Sequence, residues 1–220
     1  NYSLTPCHKI IADSLATDCK IATISGPTFA KEVANKVPSA LLAASESEDT
    51  AKIIQGMFSS EKMKVFTSTD IMGVEMGGAL KNVIAIATGI CDGLKLGCNT
   101  RAALITRGLV EIARIGTRMG AKPETFYGLS GLGDLVLTCT GELSRNRQLG
   151  VQLGQGNSLN EITKKMKMIA EGITTVKSAY QLIEKLNIQA SVIEETYKVL
   201  HEAKTPQKAL NDLMELEISE

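Results

Sequence analysis

The sequence predicts the closing part of an α/β layer over residues 1–69, followed by an all-helical domain over residues 70–220. Three observations carry this. Before Asp70, short β-branched runs alternate with amphipathic stretches. After it, apolar residues recur at helical spacing and no convincing strand follows. Between the two regimes, Ile71 to Ile90 reads as one helix without a polar stripe: Met72, Val74, Met76, Leu80, Val83, Ile84, Ile86 and Ile90 cover nearly every face, so it should be buried all round.

The elements follow in order. Leu4 to Leu15 reads as a helix and Lys20 to Ser25 as a short strand. Gly26-Pro27 then offers an N-cap glycine with proline at the first helical position, predicting a helix through Phe29 to Asn35. Ser39 to Ser45 is a second strand, and Glu48 to Phe58 an amphipathic helix with Ala51, Ile54 and Phe58 on one side. Lys64 to Thr67 is a third strand. The helical part comprises Thr100 to Met119, broken by Lys122-Pro123, then Gly131 to Thr138, Ser144 to Leu153, Leu159 to Met166, Thr174 to Leu186, Ser191 to Ala203 and Pro206 to Leu216.

Composition narrows the function. A length of 220 residues with 44% hydrophobic content argues for a packed core. Lysine plus arginine (24) equals aspartate plus glutamate (24), which speaks against a general nucleic-acid role. There is no tryptophan and aromatics are 4%, so base-stacking surface is scarce. Cys7, Cys19, Cys91, Cys98 and Cys139 are scattered and never form a C-x-x-C, so neither a disulfide framework nor a metal site follows; reduced thiols in the cytoplasm are expected. His8 and His201 leave little material for Ser-His-Asp chemistry. Uninterrupted apolar runs stay below the ~18 residues of a membrane span, and no signal peptide is visible. The chain starts at Asn1 rather than methionine, so an incomplete gene product is expected.

Four stretches offer chemistry. Gly77-Gly78-Ala79-Leu80-Lys81-Asn82 puts a lysine and an asparagine into the apolar helix, where an ammonium is costly unless paired. A helical side chain leans back over the preceding turn, which for Lys81 is bare Gly77 and Gly78, predicting a hollow for a small ligand. Gly128-Leu129-Ser130-Gly131-Leu132-Gly133-Asp134-Leu135 lets backbone approach a ligand and leaves the Asp134 carboxylate accessible, although a tight connection with Asp134 as a cap explains it equally. In Ser144-Arg145-Asn146-Arg147, Ser144 is a credible N-cap, but two first-turn arginines have the wrong sign for the helix dipole unless an anion, or surface carboxylates, pair with them. The turn Ser25-Gly26-Pro27-Thr28 adds a weaker anion signal. An amine, a carboxylate and an anion grip suit proton transfer on a small phosphorylated substrate.

These motifs, with Ser25-Gly26-Pro27-Thr28-Phe29-Ala30-Lys31-Glu32, resemble bacterial-type NAD(P)-dependent glycerol-3-phosphate dehydrogenase, in the family's order and over essentially the whole chain. The resemblance implies the end of a Rossmann-type dinucleotide domain followed by a helical substrate domain. It implies hydride transfer between NAD(P)H and dihydroxyacetone phosphate, giving sn-glycerol 3-phosphate for phospholipid synthesis. Lys81 would match the catalytic lysine. Gly26, Thr28, Lys81, Asn82, Asp134, Ser144, Arg145 and Asn146 would match substrate-contacting positions, and Ala30, Arg145, Ile169 and Glu171 positions touching NAD or NADP. The family's glycine-rich βαβ fingerprint has no counterpart, since Gly26 and Gly56 are the glycines of residues 1–70. The part holding adenosine and pyrophosphate is therefore expected to lie outside this chain.

Two other readings stay open: a non-catalytic helical module that binds a phosphorylated metabolite or dimerises, and a related dehydrogenase acting on a non-phosphorylated hydroxy acid. NAD against NADP preference and a homodimer are likewise open.

Overall fold

A computed structural model describes residues 4–15, 17, 19–166 and 170–215. The chain divides into two compact units, Asn1–Lys81 with Ile112–Leu137, and Asn82–Glu111 with Thr138–Glu220. Two long helices contribute residues to both units.

The first unit begins with α1 (Cys7–Ser14), shorter than the sequence suggests. Proline disfavours helical backbone in the residue before it, so the helix starts only after Pro6, which is extended. Strands β1 (Thr23–Ser25), β2 (Ser39–Ala44) and β3 (Met63–Ser68) form one sheet in the order β1-β2-β3. β1 is shorter than predicted because it pairs only with Leu42 to Ala44, antiparallel. β2 and β3 are parallel, from Ser39 opposite Met63 to Ala44 opposite Ser68. A parallel pair needs a crossover, here α3 (Glu48–Phe58), whose N-cap Ser47 accepts a hydrogen bond from the Thr50 N–H at 3.3 Å. The period of two along β2 divides its side chains between two clusters. Leu41 and Ala43 pack with Val65, Ile54 and Met63, while Ala44 and Leu42 pack with Ile71, Val74 and Ile21. Ala51 and Ile54 face inward as predicted, but Phe58, at the last helical position, is exposed.

The helix expected at Pro27 begins three residues later. α2 is Ala30–Ala34, five residues long, with Phe29 at its N-cap. Gly26 explains the delay: it has φ +157°, and a Cβ there would lie 2.8 Å from the Leu41 Cα, so residue 26 runs flat along β2.

Helix α4 (Ile71–Gly93) carries the predicted apolar faces, and residues 82 to 91 are buried without interruption. By length and composition it would cross a membrane, but most of it is buried within the protein, as in a core helix. α5 (Gly97–Arg118) follows, then a 3-10 turn (Pro123–Tyr127), a single π-helical turn (Leu129–Gly133) and α6 (Asp134–Thr140).

In the second unit α7 (Arg145–Gly154) crosses the C-terminal half of α4 at two glycine pairs, Gly89 with Gly150 and Gly93 with Gly154, each spaced one helical turn. A Cβ at Gly89 would sit 3.0 Å from the Gly150 Cα, so this crossing requires bare backbone on both helices. The remaining helices are α8 (Leu159–Lys165), α9 (Gly172–Leu186), α10 (Ser191–His201) and α11 (Pro206–Glu215). Ser158 and Glu161 form a capping box at α8, and Asn187, with φ 52°, ends α9 in the left-handed region. Leu216, the predicted end of the last helix, lies outside the described residues.

Candidate functional site

Each unit carries its own group of the predicted residues. In the first, the Lys81 ammonium pairs with the Asp134 carboxylate through Oδ2. The lysine side chain is 20% exposed and the aspartate 3%, so the carboxylate is enclosed and the lysine only partly so. The Ser25 hydroxyl makes a second, long hydrogen bond to the same Oδ2 at 3.5 Å. Asp134 follows the π-helical turn without a break, its own N–H bonded to the Leu129 carbonyl. An ammonium held by a buried carboxylate can hand a proton to a small ligand and recover it.

The predicted hollow over Gly77 and Gly78 is not there. A Cβ at Gly77 would lie 2.5 Å from the Ser130 carbonyl oxygen, and one at Gly78 would lie 2.9 Å from the Ser25 hydroxyl. The glycines admit protein backbone and a serine rather than a ligand. Gly26 is buried and Thr28 half-buried, its hydroxyl donating to the Gly26 carbonyl at 3.2 Å. With α2 beginning at Ala30, residues 25–28 are not a helix N-terminus, and that anion signal is withdrawn. Ala30 itself is exposed.

In the second unit the buried Asn146 side-chain amide donates from Nδ2 to the Asn82 side-chain oxygen Oδ1 at 2.9 Å and accepts from the Gly172 N–H at 2.9 Å, joining α4, α7 and the start of α9. Ser144 caps α7 by accepting from the Arg147 N–H at 3.2 Å. The two arginines differ. Arg147 is committed to Asp92, with Nε at 2.8 Å and Nη2 at 2.6 Å from Oδ2, and Arg101 takes the other carboxylate oxygen at 2.9 Å. For Arg147, of the two alternatives open from the sequence, pairing with a carboxylate is the one found. Arg145 is 41% exposed and meets the outer carboxylate of Glu171 at 3.6 Å, a long contact from which its guanidinium can turn to an anionic group. Ile169 lies outside the described residues.

Sequence reasoning missed the long-range pairings. Glu75 accepts from the His8 N–H at 3.0 Å and the Thr23 hydroxyl at 3.0 Å and faces the His8 ring at 2.8 Å, tying α1 and β1 to α4. Asp70 accepts from the Gly73 and Lys122 N–H groups, each at 2.9 Å, and from Thr125 at 2.6 Å. Glu111 accepts from the Val192 and Ile193 N–H groups at 2.8 and 3.1 Å, capping α10 from another helix. No local spacing signals such contacts. Burial pushes the Cys91 thiol up to about 11, so it stays protonated and unreactive at neutral pH. An apolar pocket lined by Ile90, Leu94, Leu104, Val199, Leu210 and Leu213 contains none of the predicted site residues.

A Rossmann-like start followed by helices, with Lys81 of α4 paired to Asp134 of α6, points to the dinucleotide-dependent dehydrogenases, and comparison with known proteins narrows it. Residues 70–211 match the family model for the NAD-dependent glycerol-3-phosphate dehydrogenase C-terminus, and residues 3–51 the model for its N-terminus. The chain is 52% identical over 217 residues to the glycerol-3-phosphate dehydrogenase (NAD(P)+) of Syntrophotalea carbinolica, covering 98% of this chain and 65% of that protein. It is 54% identical over 194 residues to the protein of the same name from Citrifermentans bemidjiense, covering 88% of this chain and 58% of that one. The crystal structure of glycerol-3-phosphate dehydrogenase from Coxiella burnetii superposes with a TM-score of 0.93 at 41% identity, over 97% of this chain and 65% of that one. The chain belongs to the NAD-dependent glycerol-3-phosphate dehydrogenase family. It spans about two thirds of the length of these relatives.

Proposed function

We propose that this chain carries the proton-transfer and substrate-binding residues of a glycerol-3-phosphate dehydrogenase, which interconverts dihydroxyacetone phosphate and sn-glycerol 3-phosphate with NAD(P)H or NAD(P)+ and serves phospholipid synthesis. The observation that carries the reading is the Lys81–Asp134 pair, in a chain half identical to proteins of that name.

Lys81 Nζ is the proton donor to the substrate's carbonyl oxygen in reduction, and takes the proton back from the hydroxyl in the reverse direction. Asp134 and Ser25 hold the amine in place. Arg145 grips the phosphate with the free N–H groups at the start of α7. Asn82, Asn146, Ser144, Gly26 and Thr28 complete the substrate contacts. The dinucleotide, when bound, supplies or accepts the hydride at the carbon that Lys81 serves at oxygen. Ala30, Arg145, Ile169 and Glu171 belong to its side. The exposure of Ala30, Arg145 and Glu171 fits that assignment, since none of the three is sealed in a core.

The test is NAD(P)H oxidation with dihydroxyacetone phosphate by the protein at the length of its relatives. Turnover abolished by Lys81→Ala, with the fold intact by circular dichroism, supports the reading. Full turnover in Lys81→Ala sinks it.

A further inference from the structure

We propose that Gly77 and Gly78 are positioning residues for the Lys81–Asp134 pair, an inference that rests on the role assigned above to Lys81. Gly77 and Lys81 are one helical turn apart on α4, so they share a face, and the lysine side chain leans back toward the glycine. Ser130 and Asp134 are likewise four residues apart, on the π-helical turn and the start of α6. Two contacts therefore stand side by side. The Ser130 carbonyl rests against Gly77, and one turn further along, the Asp134 carboxylate meets the Lys81 ammonium.

A side chain at residue 77 would disturb the second contact through the first. The 2.5 Å left for a Cβ is far inside van der Waals contact, and the atom it meets belongs to backbone, which cannot rotate away as a side chain can. The π-helical turn would have to retreat from α4 by up to about 1 Å to restore ordinary separation, and Asp134 follows directly on that turn. A displacement of about that size at a reacting group costs on the order of 100-fold in rate. Gly78 acts through the other partner of the carboxylate. A Cβ there meets the Ser25 hydroxyl at 2.9 Å, the end of a rotatable side chain, and Ser25 donates to Asp134. Its effect should be the smaller of the two. Single π-helical turns are concentrated at functional sites, and here the turn sets the register of the carboxylate.

The experiment compares Lys81 reactivity by reductive methylation with formaldehyde and borohydride, read by peptide mass spectrometry with the other lysines as internal standards. The variants are Gly77→Ala and Gly78→Ala, with Asp134→Asn marking full release of the amine. Gly56→Ala is the control, because a Cβ there meets nothing within 4 Å. Expected are labelling rates at Lys81 raised at least fivefold in Gly77→Ala and about twofold in Gly78→Ala, and unchanged in Gly56→Ala. A Lys81 rate equal to that of the unaltered chain in a folded Gly77→Ala overturns the proposal. If Gly77→Ala does not fold, Gly78→Ala decides alone: acceleration supports it, no change overturns it. Labelling needs no turnover, so a silent dehydrogenase assay with accelerated Lys81 labelling would sink the assigned function and leave the positioning role standing.

Discussion

Arg145 and Arg147 stand two residues apart in the first turn of α7 and have opposite situations. Arg147 closes on Asp92 with two nitrogens, in a cluster that Arg101 completes. Arg145 has one long contact to a carboxylate that is itself 70% exposed. The sequence places two like charges at the wrong end of a helix dipole, and the protein answers them differently. One charge is neutralised internally and becomes part of the packing. The other is left available, which is where an anionic ligand would earn its place. The same contrast holds in the other unit. Asp70 has its oxygens filled by backbone N–H groups and a threonine hydroxyl, whereas Asp134 holds the ammonium of a lysine side chain that is 20% exposed.

The largest effect should come from Lys81 on α4. Lys81→Ala is expected to lower kcat by about 10²–10⁴-fold, the usual worth of a positioned general acid, and to lower the melting temperature as well, because the enclosed Asp134 carboxylate loses its ammonium. Steady-state kinetics on the protein at the length of its relatives checks this. A loss confined to KM would move Lys81 to the binding side of the comparison.

Arg145→Ala should come next. Removing a charge-assisted phosphate contact worth about 1.5–3 kcal/mol raises KM for dihydroxyacetone phosphate by roughly 10–100-fold. Thermal stability should stay the same, because the Arg145–Glu171 contact is long and exposed. A non-phosphorylated substrate analogue should lose far less. If its KM rises equally, the guanidinium is not reading phosphate, and the hydroxy-acid reading gains.

Arg147→Ala inverts the pattern. It leaves Asp92 without its main partner, and for a partly exposed pair the cost is about 2 kcal/mol of folding stability, below the figure for a fully buried one. Urea unfolding measures it, and KM should move less than threefold. Equal effects of the two arginine substitutions on KM would show that Arg145 and Arg147 serve the same part.

The sequence showed the elements and the residue types but not who pairs with whom. Caps and periodicity are local, so α3 was read to the residue, and α7 was placed with Ser144 as its cap. The motif positions Lys81, Asp134 and Arg145 were likewise legible. Arg147 was not, because its partner Asp92 lies 55 residues away on another helix. The glycines before Lys81 were misread for the same reason. A bare helix face looks like space for a ligand until a distant turn, here Ser130, is brought against it. The Gly26-Pro27 signal failed to a tertiary constraint, the packing of residue 26 on β2, which overrode a good local helix start.

Glu111 gives the smallest expected effect and the finest test of what a closed charge contributes. Its carboxylate caps α10 by accepting from two N–H groups and Ser191, with Arg107 at 4.0 Å, yet burial outweighs these partners and raises its pKa above the ordinary 4.5. A folded-state pKa above the unfolded value means that the folded chain binds the proton more tightly. The associated stability is present in full below pH 4.5 and is lost as pH rises through the higher folded value. Glu111→Gln removes this titration. The stability difference between the unaltered chain and the variant should therefore shrink as pH rises from 4 to 8, read by urea unfolding at each pH. A difference that grows over that range would mean the N–H groups of α10, not burial, dominate, and Glu111 would then be a charge the fold favours rather than one it tolerates.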